Sequence, residues 1–159
     1  MKKVDTAHLF MENKCIGCTV MINRAVTDYL RVIPEEIRVH DWWLALICSH
    51  FGKISYIAET TLQYRQHSGN MIGGSSFMDY FKSRIKKLGD QREAIAGTYL
   101  QGQVFYRLFG DKLSGKKRAV ADTFVTMPRM NPVKRRYSMI RYGFWKSGLA
   151  RNAALFLIL

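Results

Sequence analysis

The first apolar run along the chain is short and unbroken. From Ile16 to Asn23 the sequence IGCTVMIN is apolar and β-branched, which predicts a buried strand. Arg24 to Arg31 (RAVTDYLR) then reads as a short helix, and Pro34 interrupts the pattern after it. Trp43, Leu46 and Ile47 recur at i, i+3 and i+4 beside Trp42 and Ala45, with Glu35, Glu36 and Asp41 before them and Gly52 after. That arrangement predicts a helix over 41–51, acidic at its start and glycine-capped at its end. Lys53 to Ile57 (KISYI) and Thr61 to His67 (TLQYRQH) alternate or are β-branched, and predict two further strands about a turn at 58–60.

Ser68 to Ser76 (SGNMIGGSS) is the clearest linker, because glycine and serine stiffen nothing and pack little. Beyond it the pattern turns helical over 77–88, then 91–109 with Ile95, Tyr99, Val104 and Leu108 near one face, then 112–126. Asn131-Pro132 opens a last helix over 133–149. There Val133, Tyr137, Ile140 and Phe144 share a face beside Trp145 and Leu149, while Lys134, Arg135, Arg136, Arg141 and Lys146 supply cations. Apolar and cationic residues so arranged are the signature of a helix lying in a membrane interface.

Composition changes the picture mainly through charge. Apolar residues at 48% and charged residues at 23% of 159 exclude a disordered or collagen-like chain. The net charge of +13 calls for an anionic partner: nucleic acid, a membrane surface or a phosphorylated substrate. It is unevenly placed. Residues 1–76 carry eight basic and seven acidic side chains, residues 77–159 seventeen and five, so the chain divides into two modules, 1–76 and 77–159, with the charge in the second. The longest apolar runs, 42–48 and 153–159, fall far short of the roughly 20 residues that span a bilayer. Three cysteines and no signal-peptide pattern point to a reducing, cytosolic setting.

The candidate chemistry lies in the first module. Cys15 and Cys18 have CxxC spacing, the spacing of half a zinc site or of a redox dithiol, or else are small apolar residues on a strand. Asp41 follows His40 at a helix start, where a carboxylate either caps the helix or, beside bulky aromatics, serves as a general base. Trp42 and Trp43 are core anchors or, alternatively, a platform for a sugar face. Tyr64-Arg65-Gln66-His67 gathers a cation, an amide and an imidazole ahead of the glycine-rich stretch, a set suited to a diphosphate and a metal or simply to an exposed strand end.

Taken in order, Gly17-Cys18-Thr19 with Asn23-Arg24, His40-Asp41-Trp42-Trp43-Leu44-Ala45-Leu46, Phe51-Gly52-Lys53-Ile54, and Tyr64-Arg65-Gln66-His67 with Asn70 and Gly73 resemble the C-terminal half of family 2 glycosyltransferases, rhamnosyltransferase-like members in particular. The match covers about residues 12–74. The resemblance implies an α/β fold, the C-terminal part of a GT-A (Rossmann-like) domain, followed by a helical region. It implies an inverting transfer from a nucleotide-sugar donor to a saccharide or lipid-linked acceptor in surface polysaccharide synthesis. Asp41 would be the base, Gly17, Cys18, Trp42, Trp43, Arg65 and Gln66 would contact donor or acceptor, and His67 would ligate a divalent metal, Mg or Mn.

The chain departs from that family in one respect: no Asp-x-Asp occurs in it, and the main metal carboxylates and nucleotide-binding strands would belong to a separate N-terminal half. The expectation is a fragment or one piece of a split enzyme, inactive alone and held peripherally on the inner face of the cell membrane by its basic helical tail. Nucleic acid is not a partner of such an enzyme. It enters through the rival reading, a non-catalytic basic helical module that binds a membrane surface or nucleic acid.

Overall fold

Six residues, Thr6–Met11, form the first helix, α1, whose start is set by Asp5: its side chain accepts the Ala7 N–H at 3.3 Å, relieving one unpaired donor of the first turn. A helix this short does not persist alone in water. It is held by burial of Ala7, Leu9, Phe10 and Met11. The structure is a computed structural model and describes residues 5–63, 65 and 88–158. Helix α2 runs His40–Phe51 and ends at Gly52, within a residue of the span its apolar spacing predicts. Then come α3 (Leu88–Phe109), α4 (Gly115–Thr126), α5 (Pro132–Tyr142) and α6 (Leu149–Ile158), with 3₁₀ turns at Gly110–Lys112 and Met127–Arg129.

The helices meet in one aromatic core. Phe10 stacks on Phe124 of α4 with ring centroids 4.6 Å apart, and meets Phe105 of α3 edge-on at 5.8 Å and His50 of α2 at 5.3 Å. Trp43 stands edge-on to Phe105 at 5.9 Å, and Phe144 reaches the same cluster against Phe124 at 5.4 Å. Each such ring, fully buried, contributes on the order of 1.5–3 kcal/mol. Side chains from both sides of the linker 68–76 therefore share a single hydrophobic core. The linker itself lies outside the described residues, as does nearly all of the helix predicted over 77–88.

The α/β expectation is overturned. Among the described residues there is no β-strand, so the Rossmann-like GT-A sheet is not what this chain forms. The run Ile16–Asn23 is a 3₁₀ turn, Gly17–Thr19, followed by irregular chain, and Arg24–Tyr29 is 3₁₀ rather than α-helical. An extended run becomes a strand only with a partner to complete its ladder. Without one, local bonds prevail: Thr19 Oγ1 donates to the Ile16 carbonyl at 2.8 Å and Thr27 Oγ1 to that of Arg24 at 2.6 Å. Met21 is correspondingly exposed. Residues 53–57 and 61–63 likewise form no strand, and Tyr64, Gln66 and His67 lie outside the described residues.

The helix expected over 133–149 ends at Tyr142; irregular chain follows over 143–148, and a separate helix begins at Leu149. Gly143 adopts φ 80°, a left-handed conformation that glycine takes without steric penalty. Both its N–H and that of Phe144 donate to the Met139 carbonyl, at 2.9 and 3.1 Å. The turn sends Phe144 into the core and starts α6 on a new axis. No helix among the described residues is long and apolar enough to cross a membrane.

The packing makes two substitutions informative. At Gly102 of α3, an added Cβ would stand within 2.6 Å of Phe124 Cδ1. Alanine gains about 1 kcal/mol in helix propensity, but crowding a fully buried ring costs about 1–3 kcal/mol. Gly102→Ala therefore lowers the melting temperature, and a rise would contradict the packing. The second concerns His50, 4% exposed, whose Nδ1–H donates to the Leu46 carbonyl at 2.8 Å while Nε2 is buried without a partner. Burial lowers its pKa from 6.5 to about 4, Lys117 adding to the shift and the Leu46 bond opposing it. The unfolded chain binds this proton first, so stability is full above pH 6.5 and falls by about 3 kcal/mol as pH drops towards 4. Urea midpoints across that window show the slope in the wild type and a flatter one in His50→Leu.

Candidate functional site around Asp41

Asp41 occupies the first turn of α2, where the unpaired N–H groups and the helix dipole favour a carboxylate. Its Oδ1 accepts from Asn13 Nδ2 at 2.8 Å and from the Trp42 N–H at 2.7 Å. Its Oδ2 accepts from the Gly17 N–H at 2.9 Å. Asn13 is in turn fixed by its own Oδ1, which accepts the Cys15 N–H at 2.9 Å. One half-buried carboxylate thus gathers residues 13–17 against the start of α2. His40 completes the edge: a Cβ on Gly17 would lie 2.8 Å from His40 Nε2, so the missing side chain at Gly17 is what admits the imidazole.

A carboxylate has about four lone-pair positions. Among the described residues three are occupied, two on Oδ1 and one on Oδ2, and the fourth, on Oδ2, has no donor. Burial, with the charges of Asp41 and Cys48 adding to it, pushes the Cys15 pKa up, and burial does the same at Cys48. Cys18 is exposed in the 3₁₀ turn.

Both tryptophans are buried. Trp42 is buried, its Nε1 donating to the Leu9 carbonyl at 2.5 Å and its ring under the Arg38 guanidinium at 5.7 Å. Trp43 is 1% exposed, within the aromatic core. Arg65 is exposed on irregular chain, while Gln66 and His67 lie outside the described residues. Among the described residues no three His, Cys, Asp or Glu are grouped, and His67, the metal ligand that the resemblance implies, lies outside them. An open groove along α3, lined by Arg38, Glu93, Ala94, Ala96, Gly97 and Leu100, includes none of the Asp41 cluster.

Beside Asn13, the Glu12 carboxylate makes a second junction. It pairs with Lys14 at 2.7 Å and His8 at 3.2 Å, accepts the Ser147 N–H at 2.8 Å, and meets the Arg151 guanidinium. Burial acts to raise its pKa, but the bonds from His8, Lys14 and Ser147 outweigh it and hold the group well below the usual carboxylate range. The turn before α6 is thereby tied to the segment that carries Asn13. Neither Glu12 nor Asn13 stood out in the sequence. The signal available was Asp5-Thr6 as a helix cap three residues before Leu9 and Phe10, which would have placed both polar residues just past a helix end.

Comparison of the chain with models of protein families, with curated proteins and with solved structures finds no match in any of the three.

Proposed function

We propose that this chain carries the acceptor-activating part of a sugar-transfer enzyme, with Asp41 as general base. The observation that supports the reading is the Asp41 cluster: Gly17 and His40-Asp41-Trp42, which the resemblance to family 2 glycosyltransferases groups by order alone, meet in space around one carboxylate with a free lone pair on Oδ2. In the reaction, Oδ2 accepts the proton of an acceptor hydroxyl while that oxygen bonds to the anomeric carbon. The bond from that carbon to the diphosphate breaks with inversion, and the nucleoside diphosphate leaves with the electron pair. Arg65, an exposed cation, supplies positive charge for the developing diphosphate. The donor is a nucleotide-sugar and the acceptor a saccharide or lipid-linked saccharide. Donor binding falls to elements outside the described residues, in this polypeptide or a separate N-terminal half, and the assembly works on the inner face of the cell membrane.

Asp41→Asn tests the reading in the complete enzyme, assayed by transfer of labelled sugar to a lipid-linked acceptor. Loss of a general base lowers turnover about 10²–10⁴-fold. The amide also turns an N–H₂ towards an N–H donor, at a cost of about 1–3 kcal/mol, so melting temperature is followed in parallel. Asn13→Ala removes one anchor and keeps the base, and is expected to retain turnover to within about tenfold. Turnover of Asp41→Asn equal to that of Asn13→Ala would reduce Asp41 to a clamp.

A further inference from the structure

The C-terminal helices turn an apolar surface outward. On α5, Val133, Tyr137 and Ile140 stand at i, i+4 and i+7, one stripe of a helix, and are 77%, 65% and 62% exposed. Ser138 and Met139 on the other side of the helix are buried. Lys134 and Arg141 flank the stripe on one side, both exposed. Arg136 flanks the other, where its Nε donates to the Phe156 carbonyl at 3.0 Å and its guanidinium lies 5.3 Å over the Phe156 ring. That contact sets α6 beside α5. On α6 the exposed residues are Leu149, Ala150, Ala153 and Leu157, at spacings that make a second apolar stripe, with Leu149 90% and Leu157 78% exposed. Phe144, expected from the sequence to enter the membrane, is in the core instead.

We infer that the exposed apolar residues of α5 and α6 dock on an anionic lipid bilayer. Charge decides the occupant: the exposed Lys134 and Arg141 on one side and Arg136 on the other border the apolar stripe of α5, and residues 123–159 contain no Asp or Glu to offset them. A second copy of this face would meet its own charge. A nucleic acid would satisfy the cations but leave four exposed aliphatic side chains in water. An anionic interface takes both, the cations at the headgroups and Val133, Ile140, Leu149 and Leu157 at the acyl boundary, with Tyr137 between. The Glu12 junction, through Ser147 and Arg151, ties the start of α6 to the segment that follows α1. The inference stands without the sugar-transfer reading.

Co-sedimentation of the full chain with vesicles tests it, using phosphatidylcholine alone and phosphatidylcholine with phosphatidylglycerol at about three to one. Binding is expected to the second and not the first. Lys134→Gln with Arg141→Gln weakens it about thirtyfold, from about a tenfold loss per 1.4 kcal/mol. Val133→Ser with Ile140→Ser weakens it at least about tenfold, with an unchanged helical circular dichroism spectrum in both variants. Three results would each overturn the inference: no binding to anionic vesicles, binding indifferent to Val133→Ser with Ile140→Ser, or a dimer in sedimentation that this same pair of substitutions dissociates.

Discussion

The packing of Phe10 is the contact on which the architecture rests. A six-residue helix places one ring where three longer helices converge, stacked on Phe124 and edge-on to Phe105 and His50. Because α2 precedes the glycine-rich linker and α3 and α4 come after it, that ring joins parts of the chain that charge alone would separate. The basic half is not an appendage to a nearly neutral half. Both contribute walls to one core, and none of the described cations is buried within it.

From that core the polar organisation arises by adjacency. Glu12 and Asn13 come directly after α1 and bind different elements. Glu12 fastens the turn before α6, and Asn13 fastens Asp41 at the start of α2. The start of α6 and the carboxylate of Asp41 are thus held by consecutive residues on one short segment. Gly17 matters here for what it lacks, since the space of its absent Cβ is taken by His40.

Helices were legible where periodicity and punctuation agreed. Helix α2 shows its apolar spacing and Gly52, and α3 and α4 show theirs. The fold class was not legible, because apolar, β-branched runs such as 16–23 and 53–57 specify a strand only when a neighbour completes the ladder, and no such neighbour is present among the described residues. The break at Gly143 was masked by apolar spacing that continues through it to Phe144. In the site, Asp41 was legible as a carboxylate at a helix start, but both readings of it, cap and base, rest on the same position. What separates them is the third dimension: Asn13 and Gly17 reach it from 28 and 24 residues away, and no local pattern encodes that. The tryptophans beside it took the core role that their size favours.

Amide hydrogen exchange at Gly17 measures the Asp41 cluster directly, because that N–H has the Asp41 carboxylate as its acceptor. In the native chain the Gly17 amide should exchange far more slowly than a loop amide in water, and lose that protection in Asp41→Ala while the amides of α4 keep theirs. Exchange of the native Gly17 amide at the rate of an open, solvated loop would contradict the gathering of residues 13–17 around Asp41, and the function proposed for that carboxylate with it.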